Sequence, residues 1–112
     1  MIPDDRRPAR LELFAFYYLG FSPEAEYKFP NAHHIARYYK VSSDAVLRWL
    51  EELDLDPHKI LLRHFNLAAE AVDLQLEAET LTPAQIFMRA DAILKELDVA
   101  RGGRKPWEDV PF

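Results

Sequence analysis

The sequence predicts an all-α fold: a compact five-helix bundle followed by a short C-terminal tail. Three observations predict it. Apolar residues recur at three- and four-residue spacing through most of the chain, which is the period of a helix face. A capping residue precedes proline at Asp56-Pro57 and again at Thr82-Pro83, a start signal for a helix. Only three glycines occur in 112 residues, two of them adjacent at Gly102 and Gly103, which leaves little material for glycine-dependent hairpins.

The first helix is expected from Pro8 to Leu19, with proline in its first turn and Gly20 as the left-handed residue beyond its end. Leu11, Leu13, Phe14, Phe16, Tyr17, Tyr18 and Leu19 are too many apolar residues for one stripe, so this helix should touch material on two sides. A connector, Phe21 to Pro30, carries Ser22-Pro23 and Phe29-Pro30, and residues before proline resist helical geometry. Asn31 should cap a second helix running to Tyr39 or Lys40, and Ser42 or Ser43 a third running to Leu53.

The fourth helix is expected from Pro57 to about Glu79, the longest and most central. Ile60, Leu61, Phe65, Ala68, Ala69, Val72 and Leu76 would face the core, with Leu62, Leu67 and Leu74 widening the apolar arc. The fifth should run from Pro83 to about Asp98 with Ile86, Phe87, Ala90, Ile93, Leu94 and Leu97 inward, supported by an Asp91–Lys95 pair. Residues 57–98 would then form a helical hairpin. The whole reads as one domain over 1–100, with 101–112 a flexible tail containing Trp107 and Phe112.

Apolar residues make up 49% and charged residues 29%, ordinary globular composition. The absence of cysteine removes disulfides, thiolate metal sites and cysteine nucleophiles. The first residues carry no apolar run of a secretory signal, and no stretch approaches the ~20 apolar residues of a membrane span. A cytoplasmic location is expected. The chain is acidic, with net charge −5. Residues 1–56 hold seven Lys/Arg against ten Asp/Glu, residues 57–100 four against seven, and residues 101–112 three against two. No segment concentrates the positive charge of a nucleic-acid footprint.

From Ala32 to Glu52 the chain reads AHHIARYYKVSSDAVLRWLEE. This resembles the helix-turn-helix of bacterial regulators over about one-fifth of the chain, in the pattern xxxIAxxxxVSxxxVxxWLxx. The resemblance puts Ile35, Ala36 and Tyr39 inward on the first helix, with Ala36 small because the two helices cross closely there. Val41 fills the corner, Ser42 or Ser43 caps the second helix, and Val46, Trp49 and Leu50 return to the core. Lys40 departs from the pattern, standing where glycine is common and a positive φ is needed. The restart at Asp56-Pro57 leaves no room for a wing. In DNA-binding relatives the second helix enters the major groove, which would present Ser42, Ser43, Asp44, Leu47, Arg48 and Glu51 to base edges, with Lys40 and Arg37 toward phosphate. Asp44 and Glu51 would oppose a polyanion, however, and the cations are few. An apolar Leu47 flanked by both signs of charge suits a protein partner better.

No pattern carries catalytic or metal chemistry. His33-His34 point about 100° apart on a helix, and His58 and His64 also diverge. Ser22, Ser42 and Ser43 lack a nucleophile elbow, and there is no glycine-rich phosphate loop. The expectation is a non-catalytic regulatory or adaptor protein with no cofactor, binding a protein partner through Arg37, Lys40, Ser42, Ser43, Asp44, Leu47, Arg48 and Glu51. The alternative is a dimeric, sequence-specific DNA-binding regulator. A homodimer could form through the 57–98 hairpin.

Overall fold

The computed structural model describes residues 7–28, 31–56 and 66–100. Its elements are helical throughout: α1 (Arg10–Phe14) continuing into a π-helical turn (Ala15–Leu19), α2 (Ala32–Tyr39), α3 (Ser43–Glu52), α4 (Leu67–Glu77) followed by a 3₁₀ turn (Ala78–Thr80), and α5 (Pro83–Ala100). Among the described residues there is no strand, only one antiparallel bridge between Phe21 and Tyr27. The fold class is the one the sequence predicts.

Polar side chains start every described helix after α1, whose N-cap is Ala9. Asn31 Oδ1 accepts from His34 N–H at 2.9 Å, Ser42 Oγ from Ala45 N–H at 3.1 Å, and Asn66 Oδ1 from Ala69 N–H at 3.0 Å. Thr82 and Gln85 cap reciprocally: Thr82 Oγ1 accepts from Gln85 N–H at 3.2 Å, and Gln85 Oε1 accepts from Thr82 N–H at 2.9 Å. Each cap satisfies donors that have no partner within a helix. Left-handed residues end the first three elements: Gly20 at φ 88°, Lys40 at 61° and Asp54 at 62°. After Lys40, Val41 N–H bonds Ala36 C=O at 2.9 Å, and after Asp54, Leu55 N–H bonds Leu50 C=O at 2.7 Å. These are Schellman closures, and Leu55 over Leu50 is fully buried.

The first helix departs from the expected uniform α-helix. Leu13, Phe14, Ala15 and Phe16 are consecutive and all buried, as is Leu19. A 3.6-residue turn cannot face four successive residues one way, so the segment is enclosed by neighbours and its second half widens into a π turn. The widening shifts the closing bond to Phe21 N–H on Ala15 C=O at 2.9 Å. The following loop folds tightly. Buried Ser22 bonds Glu26 through both its N–H and its Oγ, and Lys28 N–H returns to Gly20 C=O at 2.7 Å.

The fourth helix also differs. It is not continuous from Pro57, because Asn66 lies outside helical geometry (φ −95°, ψ 85°) and caps a helix that begins at Leu67. The expected start at Pro57 and the core residues Ile60, Leu61, Leu62 and Phe65 lie outside the described residues. Val72 and Leu76, expected inward, are 52% and 71% exposed, whereas Ala71 and Leu74 are buried. With the cap at Asn66 the helix is short; it packs on α1's π turn and on α5, and its buried Ala71 and Leu74 lie three residues apart. The longest described helix is α5, with Ile86, Ala90, Ile93, Leu94 and Leu97 buried as expected and Phe87 half-buried. The Asp91–Lys95 pair forms at 3.0 Å. The tail at 101–112 lies outside the described residues.

Side chains from α1 secure the end of α3. Arg10 donates Nε to Leu53 C=O at 2.7 Å and grips Asp98 of α5 with two bonds at 2.8 and 2.9 Å. Tyr18 donates to Leu55 C=O at 2.7 Å. Carbonyls beyond the last turn of α3 thus find donors on α1.

Four substitutions test this account by chemical denaturation. Gly20→Ala should destabilise by about 2 kcal/mol or more, because the residue is left-handed and its Cβ would meet Tyr27 Cε1 at 2.5 Å. Lys40→Gly should stabilise by up to about 1 kcal/mol, since the same conformation becomes unstrained. Arg10→Ala should destabilise by roughly 1–2 kcal/mol, a figure kept small by partial solvent screening of the pair, and Arg10→Lys should recover little of it because one ammonium cannot reproduce the fork.

Candidate functional site

The candidate face is built on α2 and α3, which pack together with Ile35 and Ala36 of α2 against the core. On α3, Ala45, Val46, Trp49 and Leu50 are buried. Helical register then turns Asp44, Leu47, Arg48 and Glu51 outward as one stripe at spacing i, i+3, i+4, i+7, and all four are exposed. Leu47 is 45% exposed, an apolar patch between carboxylates and a guanidinium. None of the three charged residues forms an ion pair among the described residues, whereas neighbouring Glu52 pairs with Arg7 at 2.8 Å.

The other predicted residues are placed differently. Ser42 is exposed, and its Oγ is occupied in capping. Ser43 is half-buried, and its Oγ lies 2.9 Å from His33 Nδ1, a link between the starts of α2 and α3. Lys40 is exposed in the left-handed turn. Arg37 sits apart from the α3 stripe: it lines a cleft of about 220 Å³ with Phe16, Lys28, His34 and Tyr38, none of them on α3. Charge is segregated accordingly. The eight residues of α2 include His33, His34 and Arg37 and no carboxylate, whereas α3 carries Asp44, Glu51 and Glu52 against Arg48.

Behind this face lies an aromatic stack whose edges make polar contacts. Tyr38 meets Phe16 edge-on at 5.3 Å, and Tyr39 meets Trp49 edge-on at 5.6 Å. Tyr38 donates to Glu24 Oε2 and Tyr39 to Glu12 Oε2, each at 2.5 Å. The partners lie 14 and 27 residues away, so no local spacing announces them. Trp49 is 1% exposed, and among the described residues its Nε1 has no hydrogen-bond partner; a buried donor left unmet costs about 1–3 kcal/mol. Among the described residues, no group of three or more His, Asp or Glu is arranged to hold a metal.

Comparison with protein-family models, with curated proteins and with solved structures finds no match to this chain.

The tyrosine bonds give a pH signature. The hydrogen bond to Glu24, helped by partial burial, pushes the Tyr38 hydroxyl up to about 12. Reciprocally it holds the Glu24 carboxyl below its ordinary value. Burial first, and then the bond to Glu12, push the Tyr39 hydroxyl up as well. A raised folded pKa means the contribution is complete below the ordinary tyrosine value of about 10 and is lost as pH climbs through the folded value. For Tyr38 that window runs from about 10 to about 12. The Glu24 contribution is complete above the ordinary glutamate value and fades as pH falls through its lowered one. Tyrosinate absorbance should therefore show late ionisation of Tyr38 and Tyr39, and Glu24→Ala should bring the Tyr38 midpoint down while leaving Tyr39 late.

Proposed function

We propose that this protein is a non-catalytic, cytoplasmic regulatory or adaptor protein, and that its α2–turn–α3 unit is a helix-turn-helix serving as a protein-binding face. The observation that carries this reading is the outward stripe of α3: Leu47, 45% exposed, between Asp44, Arg48 and Glu51, on a helix whose opposite side is locked by Val46, Trp49 and Leu50. A half-exposed leucine inside a charged ring can be desolvated by a partner while the charges set its orientation. The carboxylates on the stripe work against a polyanion.

A second reading, a dimeric DNA-binding regulator, draws on one observation. The α2 helix itself carries His33, His34 and Arg37 with Lys40 just beyond and no carboxylate of its own, while Glu24 and Glu12 reach its tyrosines from other segments.

Leu47→Asp separates the two. Its own effect on stability should stay at about 1 kcal/mol, because nearly half of the side chain is already in water. Crosslinking and quantitative binding should show a protein complex that persists in moderate salt and weakens about tenfold or more on Leu47→Asp or Arg48→Glu. A complex indifferent to both changes removes this face from the account. DNA affinity that falls steeply with salt and is lost on Arg48→Ala would transfer the function to the second reading.

A further inference from the structure

A second cleft, of about 300 Å³, is lined by a separate set of residues: Ala9, Leu11, Glu12, Pro23 and Phe87. It lies where the start of α1, the 21–28 loop and α5 meet. Four of its five walls are apolar. The fifth is Glu12, half-buried. Glu12 Oε2 accepts the Tyr39 hydroxyl, and among the described residues Oε1 accepts nothing. The cations nearest in sequence are committed elsewhere: Arg7 to Glu52, and Arg10 to Asp98 and Leu53 C=O. Among the described residues, a carboxylate without a counter-cation therefore stands in an apolar cleft at the small end of the range that holds small molecules.

From this we propose that the cleft is a binding site for a small organic ammonium: an apolar, preferably aromatic, body bearing one amine. The apolar part would replace water along Leu11, Pro23 and Phe87. The ammonium would donate to Glu12 Oε1, with Phe87 in the same lining as an aromatic wall for the ligand's body. A neutral ligand of the same shape gains only the first of these contributions. An anion of that shape is repelled. The site is independent of the proposed partner face, since its lining includes no residue of α2 or α3. Glu12 nonetheless reaches α2 through Tyr39, whose ring lies against Trp49. Occupancy should thus be visible at Tyr39 as well as in the cleft.

The test is a titration of the full chain followed by amide nuclear magnetic resonance shifts, with 2-phenylethylamine and its neutral isostere 2-phenylethanol at neutral pH. The amine should produce saturable shifts at Leu11, Glu12, Phe87 and Tyr39 with a Kd of about 10 mM or tighter, and the alcohol should bind about tenfold more weakly. Glu12→Gln keeps an acceptor for Tyr39 and removes the charge, so it should reduce the amine to the level of the alcohol. Phe87→Ala should weaken both ligands and provides a second variant if Glu12→Gln misfolds. Equal binding of the two ligands to the unmodified chain, undiminished amine binding by Glu12→Gln, or shifts that never saturate or centre elsewhere would each overturn the proposal.

Discussion

The enclosure of α1 governs the rest of the architecture. Four successive residues, Leu13 to Phe16, are almost wholly buried, and Leu19 joins them a turn later. Burying side chains of this size contributes roughly 1.5–3 kcal/mol each, but only if neighbours close around the segment from several directions. The π turn is the local consequence, and the convergence of α2, α4 and α5 on this one element is the global one. Polar contacts follow the same logic. Gln75 of α4 donates to Leu19 C=O, and Arg10 and Tyr18 supply the carbonyls past the end of α3.

Much of this was legible in the sequence, and the boundary between legible and hidden has a physical basis. Caps are local, so Asn31 and Thr82 mark real helix starts, and Gly20 marks a real end. Inward positions on α3 and α5 follow from period alone. The break at Asn66 was hidden because asparagine also occurs within helices and no proline or glycine accompanies it. Once that boundary moved, the inferred inner face moved with it, and Val72 and Leu76 changed sides. The π turn was hidden too, because it answers to tertiary enclosure, which leaves no spacing rule in a single segment.

The candidate face divides in the same way. The stripe of Asp44, Leu47, Arg48 and Glu51 is a matter of helical register and could be read directly. Grouping Arg37 with it was an inference across a turn, and the geometry places Arg37 instead beside Lys28 and His34, residues contributed by a loop and an earlier helical turn. Tyr38–Glu24 and Tyr39–Glu12 join segments distant in sequence, so they belong to the fold and not to any motif. The same holds for the cleft around Glu12, whose walls come from three parts of the chain.

Anchoring α3 from its rear has an evolutionary corollary. Arg10 and Tyr18 hold main-chain carbonyls, and the inner side chains hold the core, so neither attachment depends on the identity of Asp44, Leu47, Arg48 or Glu51. Those four positions can change together while the scaffold stays intact. Such a division between a fixed mount and a replaceable front would let one fold vary its outer surface at little risk to its own integrity.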